Sequence, residues 1–299
     1  MNRPASSIPT GQRELAWVGG EFLAPDQATI PALDRGFIFG DAVYEVIPAY
    51  GGRLFLADEH LARLNRSLQI TRINNPYSYP QWIDLLSELV SRCGDFDQSV
   101  YLQVTRGVAP RDHAFPQVAP TVFCLSRPLR GATPEQLAAG LKAITAEDIR
   151  WNYCHAKTTS LIANVMLRQQ AVDAGADESL LLRDGLLTEG AASNVFVVVG
   201  GRLLTPPADE QLLHGITRQQ TLTLAESLGI SVAEVEVSEQ QLREAQEICI
   251  SSSTRGLMPV TSVDGVVVGD GRPGSVWQQL WRAYEQQIER FRAGGSERD

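Results

Sequence analysis

Lys157 is the side chain whose setting first raises the question of chemistry. It stands in "EDIRWNYCHAKTTSLIANVM" (147–166), where a strand-like run gives way to a helix-like pattern, with Thr158, Thr159 and Ser160 directly after it. By spacing alone, a lysine ahead of a helix is far more often solvated than catalytic, because its stem is long and mobile. Its company changes the balance. In "LHGITRQQ" (213–220), Gly215 precedes a helix whose first N–H groups need acceptors, and Thr217 adds a hydroxyl, which makes a ready anion site. In "ISSSTRG" (250–256), three serines and a threonine follow a strand and form a second cluster of donors suited to a phosphate. In "LLTEGAASNVFVV" (186–198), Glu189 sits at a turn followed by small residues. Beside a pyridine, such a carboxylate keeps the ring nitrogen protonated and makes the ring an electron sink. Each feature alone reads better as an ordinary helix start, a polar turn or a solvated acid. Together they point to a phosphorylated cofactor that can form an imine with an amine.

The elements that must position these groups follow from local pattern. "AWVGGEFL", "PAYGGRLF" and "FVVVGGRLL" each carry a Gly-Gly pair able to take the positive φ of a tight hairpin, so three antiparallel pairs are expected. "DEHLARLNRSLQI" reads as a helix capped by Asp58, with Leu61, Leu64 and Leu68 on one stripe, and "QWIDLLSELVSRCG" as a second helix stopped at Gly94. "SVYLQVTRG" and "TVFCLSRPL" read as strands flanking the loop "VAPRDHAFPQVAP". Beyond the Pro- and Gly-rich "SRPLRGATPEQ", "GLKAITAEDIRW" reads as a strand. "TSLIANVMLRQQAVDAG" is a helix with an apolar face, "GITRQQTLTLAESLG" and "SEQQLREAQE" are further helices, and "ICISSS" is a strand. The regular strand–helix alternation of a doubly wound sheet is missing, so the expectation is an α+β chain of two domains. The boundaries are residues 1–126 for a small N-terminal α/β domain (1–13 a flexible arm), 127–136 for a linker, and 137–299 for a larger cofactor-binding domain.

Composition narrows the function classes. The 299 residues carry 35 acids against 26 bases, a formal charge of −9, which argues against a nucleic-acid binder and for small-molecule partners. No apolar run is long enough to span a bilayer, and the amino end lacks the apolar core of a signal peptide. Cys93, Cys124, Cys154 and Cys249 are far apart with no C-x-x-C pair, as in a reducing cytoplasm, and the four histidines show no metal-ligand spacing.

At this point the sequence resembles the class IV, or fold-type IV, pyridoxal-phosphate aminotransferases. The resemblance rests on blocks in the family's order, from about residue 17 to about residue 285: "DRGFIFGDAVYEV", "EHLARL", "YLQVTRGVAPRDHAFP", "EDIRW…K", "TEGAASNVF", "GITR" and "SSSTRGLMPV". It implies a small N-terminal domain and a larger pseudo-barrel domain. It also implies that Lys157 forms the internal aldimine with pyridoxal 5'-phosphate and shuttles a proton, which needs an amine pKa brought down from about 10.4 towards neutrality. Glu189 then becomes the partner of the pyridine nitrogen. Arg63, Ile216, Thr217, Ser253 and Thr254 become the phosphate cup, and Leu213 packs on the ring.

The resemblance is greatest to the D-amino-acid aminotransferase branch. There Tyr44, Arg111 and His113 resemble the trap for the substrate α-carboxylate, and the loop with the last two comes from a neighbouring subunit, so a homodimer is implied. An arginine fork with two further donors suits a carboxylate. Arg255-Gly256 and Ala191-Ala192 depart from the branch's pattern, and His155 would share a face with Lys157 if "CHAK" is extended. The reading is a ping-pong transaminase of D-amino acids such as D-alanine and D-glutamate with 2-oxo acids. L-branched-chain or (R)-amine aminotransferase, aminodeoxychorismate lyase, and a binding scaffold without turnover are the alternatives.

Overall fold

Two sheets, each with its own apolar core, organise the chain in the computed structural model, which describes residues 14–296. The expected flexible arm at 1–13 lies outside them. Unit one comprises Met1–Leu129, Ala156–Ser160 and Arg290–Asp299; unit two comprises Arg130–His155 and Leu161–Glu289.

Unit one contains β1 (Leu15–Val18), β2 (Glu21–Leu23), α1 (Arg35–Phe39), β3 (Ala42–Tyr50), β4 (Arg53–Leu54), α2 (Ala57–Thr71), α3 (Tyr79–Cys93), β5 (Gln98–Thr105) and β6 (Thr121–Pro128). Its strands pair antiparallel in the order β2-β1-β6-β5-β3-β4. Alternation along β3 and β5 turns Val43, Ile47, Val100, Leu102 and Val104 inward, where Leu61, Leu64 and Leu68 of α2 and Trp82, Leu86 and Leu89 of α3 join them. The opposite face carries the half-buried rings of Tyr44, Tyr101 and Phe123. Asp58 is not the cap of α2. Leu56 holds that place, because the His60 N–H already bonds the Leu56 carbonyl, and Asp58 and Glu59 occupy the first turn, where they complement the helix dipole. Ser78 and Gln81 form a capping box at the start of α3, and Gly94 ends it as expected.

Unit two contains α4 (Pro134–Ala139), β7 (Leu141–Glu147), α5 (Ile162–Asp173), β8 (Glu178–Arg183), β9 (Leu186–Gly190), β10 (Asn194–Val199), β11 (Arg202–Thr205), α6 (Ile216–Ser227), β12 (Val232–Glu234), α7 (Glu239–Arg243), β13 (Glu247–Ser252), β14 (Gly256–Val263), β15 (Val266–Val267) and α8 (Ser275–Arg292), whose last turn belongs to unit one. The sheet order is β12-β11-β10-β13-β14-β7-β8-β9, with β15 on β14; β14–β7, β7–β8 and β11–β12 pair parallel. All three Gly-Gly hairpins form, with positive φ at both glycines of each pair, which is what matches the turn to the strand twist. The apolar face expected on α5 is only partly used. Leu167 and Ala171 are buried, whereas Ile162, Val165, Met166 and Val172 are exposed. Among the described residues no helix is long and apolar enough to cross a membrane.

Leu64 is fully buried where α2 meets the sheet. Leu64→Ala should cost about 2–5 kcal/mol in urea unfolding, the usual loss when a core leucine is cut back to alanine. A variant as stable as wild type would contradict this placement.

Candidate active site

Lys157 belongs to unit one, on a five-residue stretch laid along β3. Its backbone is held from both sides: the Lys157 N–H donates to Ser67 Oγ at 3.1 Å, and its carbonyl accepts from the Tyr44 N–H at 3.0 Å. A bridge between Val43 and Thr158 continues the pairing. The ammonium lies 4.1 Å from the centre of the Tyr44 ring, a cation–π contact, and among the described residues no carboxylate pairs with it.

Beneath β3, α2 presents a second, polar stripe of His60, Arg63 and Ser67, all buried. Arg63 is therefore no solvated helix arginine. Its Nε and Nη2 donate to the two oxygens of Glu45 at 2.7 and 2.8 Å, and His60 Nδ1 meets Glu45 Oε2 at 2.8 Å. Burial opposes charge on Glu45, but the Arg63 guanidinium and His60 overcome it and hold the carboxyl well below its usual range. Burial likewise lowers the pKa of His60, which favours the neutral ring donating through Nδ1.

In unit two, Glu189 on β9 is buried at the hub of another polar network. Arg150 Nη1 donates to its Oε1; Asn194 Nδ2 and the Leu213 N–H donate to Oε2 at 3.0 and 3.1 Å. A carboxylate has about four lone-pair sites, so one further donor such as a protonated ring nitrogen can be taken. Burial pushes the Glu189 carboxyl up while Arg150 and the Leu213 N–H oppose it, which leaves a more basic acceptor than an exposed glutamate. Arg150 is itself fixed by Asp148, through Nε to Oδ1 and Nη2 to Oδ2, both at 2.8 Å. Asn194 also donates to the Leu213 carbonyl at 2.8 Å, and a Cβ on Gly215 would stand 2.0 Å from Asn194 Oδ1. The glycine ahead of α6 is thus required by this close approach.

The two donor loops take the forms the sequence suggested. No side chain caps α6 and no acid lies in its first turn, so the N–H groups there, with Ile216 and Thr217, suit an anion. Ser253 and Thr254 occupy the half-buried turn after β13, preceded by Ser251, whose buried Oγ has no hydrogen-bond partner among the described residues. Tyr284 of α8 touches both loops: its phenol contacts the Thr217 hydroxyl, and its ring lies 2.9 Å from where a Gly256 Cβ would be. This donor chemistry fits a phosphate, and among the described residues no His/Cys/Asp/Glu group suits a metal.

Tyr44 stacks on Tyr101, their centroids 5.6 Å apart, whereas Arg111 and His113 lie on the exposed loop and share Phe39, at 5.2 Å each. No contact among the described residues joins Tyr44 to either. Cys154 and His155 form a turn, so "CHAK" is not extended and the shared face expected for His155 and Lys157 falls; His155 stacks on Tyr153 instead. Arg255 is exposed, Ala191 is buried and Ala192 exposed. Glu45, His60, Ser67, Arg150, Asn194 and Tyr284 were missed from sequence. Three signals were present: the Asp-x-Arg spacing before Trp151, the asparagine five residues after Glu189, and the apolar period of 277–291.

The family model for amino-transferase class IV matches residues 42–263. The chain is 39% identical to the D-alanine aminotransferase of Bacillus licheniformis over 274 residues, covering 90% of this chain and 95% of that protein. It is 38% identical to that of Listeria monocytogenes over 276 residues, covering 91% and 96%. Among solved structures, the branched-chain amino acid aminotransferase of Escherichia coli aligns with a TM-score of 0.85 at 27% identity, over 91% of this chain and 93% of that one. The T.th. branched-chain amino acid aminotransferase with pyridoxamine 5'-phosphate aligns with a TM-score of 0.86 at 26% identity, over 92% and 93%. The expected fold, α+β of type IV with a pseudo-barrel sheet in the larger part, is borne out.

Gly215→Ala would drive a methyl into Asn194 Oδ1. The variant should lose about 1–3 kcal/mol of stability by overpacking, read from its thermal midpoint. An unchanged midpoint would show that Asn194 is free to move.

Proposed function

The chain belongs to the class IV aminotransferase family, and on that premise we propose that it transfers an amino group between D-amino acids, D-alanine and D-glutamate among them, and 2-oxo acids, with pyridoxal 5'-phosphate as cofactor. The observation that carries the reading is the Lys157 ammonium over the Tyr44 ring with no carboxylate to neutralise it. An amine kept from ion pairing is available to bind a carbonyl carbon and to move protons. Pyridoxal phosphate, when bound, supplies the aldehyde that takes up the amino group and a ring that accepts electrons from the substrate Cα. Lys157 Nζ would hold the cofactor and take the proton that leaves the substrate Cα. Glu189 would accept the hydrogen bond of the ring nitrogen and favour its protonated form, while Arg150 and Asn194 fix that carboxylate in place. Leu213 would pack against the ring, and Arg63, Ile216, Thr217, Ser253 and Thr254 would serve as donors for the phosphate.

Tyr44, Arg111 and His113 take the substrate α-carboxylate. If the substrate Cα–H faces Lys157, D and L isomers would differ by exchanging carboxylate and side chain, so the side carrying the cationic groups would select the isomer. Arg111 and His113 act in the neighbouring copy of a homodimer. Two features support that assembly: among the described residues no hydrogen bond, ring contact or cation–π contact joins Arg111 or His113 to Tyr44 of the same chain, and the apolar Ile162, Val165, Met166 and Val172 on α5 are exposed. Four free, buried cysteines support a cytoplasmic location.

The purified protein should be yellow, and borohydride should attach the cofactor covalently to the peptide containing Lys157. Lys157→Ala should lose nearly all turnover, and wild-type transamination by that variant would refute the assignment. In a panel of D- and L-amino acids with 2-oxoglutarate or pyruvate, D-alanine and D-glutamate should be preferred. Arg111→Ala should raise KM for D-amino acids by about tenfold or more, since charge-assisted hydrogen bonds are strong. A preference of the wild type for L-leucine or L-valine over every D-amino acid would sink the D-specific reading.

A further inference from the structure

Arg111 and His113 sit on a stretch without helix or strand, residues 109–120, joining β5 to β6. Ordering such a loop costs backbone entropy, so something must hold it. One tie is polar: Arg35 Nη1 donates to the Asp112 carbonyl. A second is aromatic, the Phe39 ring lying 5.2 Å from both the Arg111 guanidinium and the His113 ring, and a third is Phe115. Its ring is 49% exposed, so apolar burial alone does not account for its place. Its near neighbours are two guanidinium groups, with Arg106 Cζ 3.7 Å and Arg72 Cζ 5.2 Å from the ring centre.

Arg106 is among the most firmly fixed arginines of unit one. Its Nε and Nη2 bond Asp41 at 2.7 and 2.9 Å, and its Nη1 and Nη2 bond the carbonyls of Arg72 and Thr71, each at 2.8 Å. Asp41 also binds Arg35 Nε at 2.8 Å, so one carboxylate anchors two of the three arginines that hold the loop. A ring held against a buried, hydrogen-bonded guanidinium keeps a defined place that a free loop ring lacks.

We propose that Phe115 is a positioning residue for substrate recognition. Clamped by Arg72 and Arg106, it sets where Arg111 and His113 stand, and it exerts its effect on the substrate α-carboxylate through them. The inference rests on the reading of Arg111 and His113 as the carboxylate trap. Phe115 itself touches neither substrate nor cofactor.

The test uses holoenzyme with Phe115→Ala, Phe115→Leu and Phe115→Tyr beside Arg111→Ala. It reads KM and kcat for D-alanine, the visible spectrum of the bound cofactor, and amide hydrogen exchange over residues 109–120. The clamp predicts that Ala and Leu raise KM roughly tenfold, equivalent to about 1.4 kcal/mol, with kcat and spectrum near wild type and faster exchange in the loop. Tyr, which keeps a π face, should restore KM and exchange. A wild-type KM in Phe115→Ala, full function in Phe115→Leu, or no rescue by Phe115→Tyr would overturn the clamp. If Arg111→Ala raises KM while Phe115→Ala does not, the clamp alone fails. An unchanged KM in Arg111→Ala would remove the trap and the clamp with it.

Discussion

A guanidinium shared by two buried carboxylates constrains the interior of unit two. Arg150 bonds Asp148 through two nitrogens and Glu189 through a third. Taking three charges out of water is costly, and such a cluster persists only when nearly every polar atom is matched. It is matched here. Thr188 Oγ1 and Arg183 Nη2 reach Asp148, and Asn194 and the Leu213 N–H reach Glu189. Removing one partner from such a network costs roughly 3–5 kcal/mol because it strands a buried charge. The network ties the end of β7 to β9, the start of β10 and the turn before α6, so the carboxylate and the uncapped start of α6 are fixed by the same bonds.

Unit one is built on a parallel scheme with a different purpose. Glu45 draws Arg63 and His60 of α2 onto the underside of β3, while Tyr44, the next residue along the strand, points to the other face and meets the lysine. The period-two alternation of one strand therefore separates a buried ionic anchor from the Lys157 amine. Ser67 extends the polar stripe of α2 and takes the Lys157 N–H, so the helix that packs the core also sets the backbone of the lysine. A long side chain on a clamped backbone sweeps a smaller arc than one on a mobile loop, which is how a flexible residue gains a defined task.

Local chemistry made much of this legible in the sequence. Gly-Gly hairpins, the Leu61/Leu64/Leu68 stripe and the glycine before α6 each depend on residues near in sequence, and each formed as the pattern requires. Lys157, Glu189 and the two donor loops could be singled out because amine, acid and hydroxyl types carry their chemistry with them. What stayed hidden depends on pairing over long separations. Glu45 reads as one acid in an apolar strand, and nothing local to it shows that Arg63 will cover it. Arg150 looks like a surface arginine until β9 brings Glu189 to it. The final helix escaped because its polar residues outnumber its apolar ones, although Trp277, Leu280, Tyr284, Ile288 and Phe291 keep helical spacing and are buried. Asp58 was misassigned as a cap because Leu56 takes left-handed geometry, rare for a leucine and invisible in residue type.

The central claim is that the Arg150–Glu189–Asn194 network presents a carboxylate basic enough and fixed enough to keep a pyridine nitrogen protonated. The most direct measurement is the ¹⁵N chemical shift of ring-labelled pyridoxal 5'-phosphate bound to the wild-type protein at neutral pH. The account predicts the shift of a protonated pyridinium nitrogen. The shift of a neutral pyridine nitrogen would contradict it.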